Sequence, residues 1–463
     1  MSSEEPCWLE SERNALSDSA DTIVAVATPP GRGGIAVLRI SGPAVPAIAG
    51  ELLGALPEPR RALLRSFRDG AGELIDRGLA LYFPAPSSYT GEHVLELHGH
   101  GGPVVMDLLA ARLLSLGARP ARPGEFTERA FLNGRLDLAQ AEAVADLIDS
   151  ASAEAGRAAA RSLQGELSRR ADALAEGLAS LRTHVEAAID FPEEEIDFLA
   201  DGEIGRQLAT IASALTALRA QARQGQALRD GLVLVIAGRP NAGKSSLLNR
   251  LCGRDTAIVS EQPGTTRDVL RERVSLDGLP LEIVDTAGLR DSDEPVEREG
   301  VRRAWAEVQA ADRVLLLIDD RYELDDADRL GRARFPAGRV TLVRNKIDLS
   351  GRPPGLRETA DGTELAISAL TGAGLEALSG YLRASAGLET GGEGLFSARR
   401  RHIAALDLAA EHLGSAEERL AEGAGELLAE ELRRAHEAVA EITGRITSED
   451  LLGRIFSSFC IGK

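Results

Sequence analysis

Lysine is nearly absent from this chain. Of 463 residues only Lys244, Lys346 and Lys463 are lysine, against fifty arginines. A bias this strong suggests a GC-rich genome, in which lysine persists mainly where a compact ammonium on a flexible stem does what a planar guanidinium fork does not. Cysteine is as scarce: Cys7, Cys252 and Cys460 are odd in number and far apart. That excludes a disulfide framework and points to a reducing, cytoplasmic setting. No uncharged apolar run reaches the roughly 18 residues that a membrane span needs, so no membrane partner is expected. The start, MSSEEPCWLESERNALSDSAD, is acidic without an apolar stretch, which excludes a secretory signal. A basic surface is missing too. The formal net charge is −19, so any contact with nucleic acid needs a local arginine-lined patch or a partner.

What is there is ordinary for a globular chain: 44% hydrophobic and 27% charged residues. The length suggests about three domains. Residues 1–20 read as a disordered acidic tail. From 21 to 135, short apolar runs broken by Gly and Pro (TIVAVATPPGRGG, IAVLRISG, LALYFPAP, HVLELHGHGG) predict strands, with a helix from about Pro103 to Leu116. Residues 136–230 turn to Ala, Leu and Glu at helical spacing, interrupted by DFPEEEID. Residues 231–384 alternate strands (GLVLVIAG, LPLEIVDTAG, RVLLLID, RVTLVRNK, TELAISA) with helices, which predicts a parallel α/β sheet. Helical spacing returns over 385–463. The simplest packing joins the two helical stretches in one bundle, with the α/β unit as an insertion.

Gly238-Arg239-Pro240-Asn241-Ala242-Gly243-Lys244-Ser245 fits G-x-x-x-x-G-K-[ST] between an apolar strand and a helix opening, the context that makes the motif a phosphate-binding loop. Backbone N–H groups of Asn241, Ala242 and Gly243 can cradle phosphates, with Ser246 following at the helix start. Lys244 reaches the β- and γ-phosphates, and Ser245 and Thr266 supply hydroxyls for Mg²⁺. Asp285-Thr286-Ala287-Gly288 can hold the Mg²⁺ shell and sense the γ-phosphate. In Asn345-Lys346-Ile347-Asp348, the carboxylate accepts two hydrogen bonds from guanine where adenine would leave it unpaired. Ser368-Ala369-Leu370 closes over the base edge. Together these predict a GTPase. Small Ras-type GTPases carry a water-orienting Gln after DTAG; here Leu289 stands there, so another device must assist catalysis.

DTIVAVATPPGRGGIAVLRISG, GEHVLELHGHGG, ARPGEFTERAFLNGRLDLAQAEAVADLID, DFPEEEIDF, GRPNAGKSSLLN, EQPGTTRD, DTAGLR and the terminal FCIGK make residues 21–463 resemble the tRNA modification GTPases of the MnmE (TrmE) family. The resemblance implies an N-terminal folate-binding-like α+β domain that forms a homodimer, a helical bundle, and a Ras-like P-loop G domain inserted in it. It implies K⁺ in place of an arginine finger, held by Asn241 and by the 260–265 loop with Ser260, Gln262 and Thr265. A glutamate after DTAGLR would position the attacking water; counting gives Glu297, with Glu294 the alternative. Arg39, Glu96, Arg135 and Lys463 match the positions that hold a tetrahydrofolate derivative, 5-formyl- or methylene-tetrahydrofolate. The family often has Lys at the Arg135 position. Cys460 reads either as a nucleophile activated by nearby cations or as a small packed residue. The implied function is 5-carboxymethylaminomethyl-type modification of the tRNA wobble uridine, with an FAD-dependent partner, MnmG, in a heterotetramer. The other reading is an Era-like ribosome-assembly switch without modification chemistry. Glu96, His98 and His100 alternate along one strand as a metal triad would, but the following Gly-Gly-Pro turn argues against one.

Overall fold

The computed structural model describes residues 21–190, 202–253, 271–285, 309, 311–324, 332, 335, 338–359, 362–388, 394–446 and 448–462. The chain divides into two compact units, Met1–Ala145 with Thr443–Lys463, and Asp146–Ile442. Among the described residues no helix is long and apolar enough to cross a membrane.

The first unit is built on a six-stranded sheet. Its strands are β1 (Thr22–Val26), β2 (Gly33–Ser41), β3 (Leu63–Arg68), β4 (Leu74–Phe83), β5 (Val94–Gly101) and β6 (Ala118–Pro120), in the order β3-β4-β5-β2-β1-β6. Only β1 and β6 run parallel. Period-2 alternation sends Ala36, Leu38 and Ile40 of β2, and Leu95 and Leu97 of β5, into one core. The helices Val45–Leu53 and Pro103–Ser115 cover that face with Ile48, Leu52, Leu109 and Leu113. The second helix lies within the span predicted from the sequence, and Gly117 (φ +96°) follows it as a left-handed stop. The intervening residues Val37, Arg39, Glu96 and His98 share the opposite face. The last helix, Glu449–Ser457, is seated in this same unit: Ile455, Phe456 and Phe459 pack with Leu138 and Ala141. The outer ends of the two helical stretches, 138–145 and 449–459, thus lend apolar side chains to this unit.

The second unit holds a seven-stranded sheet in the order β12-β13-β11-β10-β7-β9-β8. It comprises β7 (Leu232–Gly238), β8 (Arg271–Leu276), β9 (Leu279–Asp285), β10 (Arg313–Asp319), β11 (Val340–Asn345), β12 (Gly355–Thr359) and β13 (Gly362–Ala366). The apolar runs of β7 and β10 are buried on both faces, as a covered parallel sheet requires. Leu234, Ile236, Leu315 and Leu317 enter one core, and Val235, Ala237, Val314 and Leu316 the other. The sheet is not wholly parallel: β8 and β12 are antiparallel edges. Their charged, half-exposed sequences, RERVSL and GLRET, lack the apolar run that marks the inner strands. The helices Ala153–Leu163, Glu166–Asp190, Glu203–Asp230, Arg400–Ala421 and Gly425–Thr443 make up the helical part, with Arg219 and Arg223 both paired to Asp407.

Candidate functional site

The C-terminal ends of β7 and β11, with the turn after β13, gather the first set of candidate residues, where ligands bind in open parallel sheets. After β7 the chain can turn only because two positions are glycine. A Cβ on Gly238 (φ +139°) would stand 2.3 Å from the Leu317 carbonyl oxygen, and one on Gly243 (φ +98°) 2.2 Å from Asn345 Nδ2. Asn241 itself has φ +64° and is exposed at the loop. The helix Lys244–Cys252 opens directly behind. Ser245 and Ser246 are exposed at its first turn, where orphan N–H groups and the helix dipole favour an anion.

Both described lysines rest on this loop. Lys244 Nζ donates to the carbonyls of Gly238 (2.7 Å) and Arg239 (3.0 Å). Lys346 Nζ donates to the Asn241 carbonyl (2.7 Å) and pairs with Asp319 (2.9 Å). Hydrogen bonds from Arg321, then Lys346, hold the Asp319 carboxyl well below the usual carboxylate range. Asn345, 1% exposed, ties the three segments together. Its Nδ2 donates to the Ala242 carbonyl (2.8 Å), and its Oδ1 accepts from the Ala369 N–H (2.9 Å). Ser368 Oγ donates to Asp348 Oδ1 (2.6 Å). Asp348 and Leu370 are exposed beside this frame. The arrangement offers a nest of N–H donors with an ammonium across it, and a carboxylate facing outward a short distance away, a pattern that suits a nucleoside polyphosphate.

Asp285 ends β9, and the structure describes only its backbone. Ser260, Gln262, Thr265, Thr266, Thr286, Ala287, Gly288, Glu294, Glu297 and Lys463 lie outside the described residues. Cys252 is half-buried against the sheet core; burial, then the neighbouring Glu272 carboxylate, pushes its thiol up to about 11, which disfavours the thiolate.

A second cluster lies on the open face of the first unit's sheet. Arg39 and Glu96 are register partners across β2 and β5, and Arg39 Nε donates to Glu96 Oε1 at 2.9 Å. The guanidinium stands 5.5 Å from the Tyr89 ring centroid and 5.8 Å from that of Phe126, a cation–π setting on two sides. His98 Nε2 is 3.3 Å from the other Glu96 oxygen. His100 instead pairs with the buried Asp76 (2.8 Å). Among the described residues no group of three His, Cys, Asp or Glu is placed to hold a metal. Arg135 is exposed after the helix Glu125–Leu132, its stem beside Gly91, and among the described residues no hydrogen bond joins it to the Arg39–Glu96 pair. Cys460 is exposed in the terminal segment, which runs close to β1: a Cβ on Gly462 would stand 2.3 Å from the Val26 carbonyl oxygen.

Comparison with known proteins adds the relationship. A model of the MnmE helical domain matches residues 138–460, and a model of the GTP-binding protein TrmE N-terminus matches residues 22–135. The tRNA modification GTPase MnmE of Pseudomonas paraeruginosa is 57% identical over 459 residues, 97% of this chain and all of that protein. The chain belongs to the MnmE family of tRNA modification GTPases. It is a GTP hydrolase. Solved structures that match it include an Aquifex aeolicus Era variant bound to GDP and AlF4⁻ (26% identity, 39% of this chain, 66% of that one, TM-score 0.27). Another is the G domain of the T. maritima FeoB iron transporter (22% identity, 34% of this chain, 98% of that one, TM-score 0.26).

Within the MnmE-type chain, sequence reasoning missed three buried charge clusters. Asp146 accepts from Arg229, Arg399 and Ser397 (2.8, 2.8 and 2.6 Å). Glu125 and Arg129 sit together at 1% and 4% exposure. Asp320 lies beneath the Asp348 loop. Each acidic residue is one of 72 in the chain, and only the partners brought by the fold distinguish it.

Proposed function

We propose that this chain is a K⁺-stimulated, Mg²⁺-dependent GTPase. It works as a homodimer with tRNA and an FAD-dependent partner of the MnmG type in a heterotetramer, and modifies C5 of the wobble uridine. A tetrahydrofolate derivative supplies the one-carbon unit. The observation that carries the reading is the joining of Asn241, Lys244, Asn345 and Lys346 into one hydrogen-bonded phosphate and base frame, in a chain where Leu289 replaces the water-orienting Gln. In this reading Lys244 and the loop N–H groups of Asn241, Ala242 and Gly243 grip the phosphates. The Ser245 hydroxyl, with Thr266, suits hard Mg²⁺. Asn241, exposed at the loop, and the 260–265 segment hold K⁺, whose charge substitutes for an arginine finger. Glu297 orients the water. Asp348 reads guanine.

The test is GTP hydrolysis by the full chain in K⁺ against Na⁺. We expect a rate at least about tenfold higher in K⁺, in line with the worth of one charge at the transition state, and loss of that difference in Asn241→Ala. Equal rates in the two salts would remove the K⁺ assignment.

Arg39 and Glu96 are the proposed folate contacts. The carboxylate accepts from the pterin amino group and ring N–H, and the ring-flanked guanidinium suits a flat, anionic ligand. Lys463 and Arg135 add charge for the glutamyl tail. Glu96→Ala is expected to weaken binding of 5-formyltetrahydrofolate by about tenfold to a hundredfold, the cost of a lost charged acceptor, while GTP hydrolysis in the isolated protein is unchanged. Calorimetric titration checks this, and unaltered folate affinity would reject the site.

A further inference from the structure

Two consecutive aspartates, the last residue of β10 and the one after it, hold opposite ends of one loop. Asp319 pairs with Lys346, before Asp348. Asp320 holds the residues after it. Its side chain is 1% exposed, and its carboxylate accepts from Ser350 Oγ (2.5 Å) and from Arg352 Nε (2.8 and 2.9 Å). Arg344 Nη1 approaches to 3.5 Å, and Arg344 Nε donates to Glu364 (2.5 Å). Arg352 Nη1 reaches the same Glu364 oxygen at 3.6 Å. Asp320, Arg344, Glu364 and Arg352 thus close a neutral ring of two carboxylates and two guanidiniums.

A buried ring of this kind is weak support for stability, because desolvation offsets most of the attraction. Its placement is more informative. The helix Ile347–Ser350 that carries Asp348 is a single turn, flanked by left-handed Lys346 (φ +68°) and Gly351 (φ +76°). One turn does not hold itself in water, so its position comes from what grips its ends. We propose that Asp320 is a positioning residue for base recognition: through Ser350 and Arg352 it fixes the carboxylate of Asp348 at the depth that guanine requires. This rests on the reading of Asp348 as the guanine acceptor. A displacement of under an ångström at such a carboxylate costs most where two hydrogen bonds must be met at once.

The experiment compares methylanthraniloyl-labelled GDP and IDP on the full-length protein. Hypoxanthine lacks the 2-amino group and so forfeits one of the two bonds to Asp348, and the ratio of the two Kd values reads the geometry of that carboxylate. A fall in folded fraction lowers the titration amplitude but not the ratio. In Asp320→Asn the preference for GDP should shrink about threefold to tenfold. Arg352→Gln should do the same, and the double variant no more than either alone. If Asp348→Ala leaves the GDP preference intact, both readings fall together. If Asp348→Ala removes the preference but Asp320→Asn leaves it unchanged, or weakens both nucleotides equally, only the role of Asp320 falls.

Discussion

Lys244→Arg is expected to lower the rate of GTP hydrolysis by at least ~10³-fold, although it keeps the charge in an arginine-rich chain. The reason lies in how tightly the loop closes around the ammonium. Nζ meets two carbonyls of its own loop, Gly238 and Arg239, at 2.7 and 3.0 Å. The loop is crowded at the preceding residue too, where a Cβ on Gly243 would stand 2.2 Å from Asn345 Nδ2. An ammonium has three donors around a point, so it can keep a loop carbonyl while offering a proton to a phosphate oxygen. A guanidinium presents its donors in one plane and at a longer reach, and to fit it must push the loop outward or leave the phosphate contact. Either outcome misplaces the reacting phosphorus, and phosphoryl transfer depends almost wholly on positioning and charge. Single-turnover assays at saturating GTP check the chemical step, and GDP affinity measured beside them separates it from binding. Activity within tenfold of the parent would count against Lys244 as a phosphate ligand.

How much of this was legible in the sequence depended on the distance over which each feature is encoded. The phosphate loop is written in eight consecutive residues, and its glycines occur where a Cβ would strike Leu317 or Asn345. The Asn345–Asp348 segment is equally local. Strands β7, β9, β10, β11 and β13 announce themselves by apolar content. Strands β8 and β12 do not, because edge positions leave half of each strand in water. Nor does the sequence reveal that residues 449–457 pack with Leu138 and Ala141, since that contact spans three hundred positions and depends on shape. Arg39 and Glu96 were each marked by the family resemblance, but their pairing is a fact of register: β2 and β5 align so that these two face one another. The Asp320 ring and the Glu125 cluster were invisible for a plainer reason. In an acidic chain a carboxylate becomes distinctive only when the fold removes it from water and surrounds it with guanidiniums.

Glu125→Gln should show how much such a cluster carries. Its carboxylate is 2% exposed, and each of its oxygens accepts two hydrogen bonds. Oε1 takes Arg119 Nη2 (2.5 Å) and Arg129 Nη2 (3.0 Å); Oε2 takes Arg119 Nη1 (2.9 Å) and the Arg122 N–H (2.7 Å). Glutamine preserves the shape, but whichever way its amide turns, an NH₂ group faces two donors. Two arginines also lose part of their counter-charge, and Arg129 is itself buried with only Asp21 and Glu92 remaining. Breaking a buried ion cluster from one side costs about 3–5 kcal/mol, a large share of the ~5–15 kcal/mol that holds a domain. The pH dependence identifies the cause. Burial alone would raise the Glu125 carboxyl, but Arg119, the Arg122 N–H and Arg129 together hold it down at about 2, against 4.5 for an ordinary glutamate. The unfolded chain therefore takes up this proton first, so the stability that Glu125 contributes is complete above pH 4.5 and is lost as the pH falls toward 2. The difference in unfolding free energy between the parent and Glu125→Gln should accordingly shrink by about 3 kcal/mol over that window. Hydrogen exchange at the β1 and β6 amides, which flank the cluster, follows it across the same pH range. A difference that stays constant between pH 5 and pH 2.5 would mean that Glu125 stabilises by packing, with its charge contributing little.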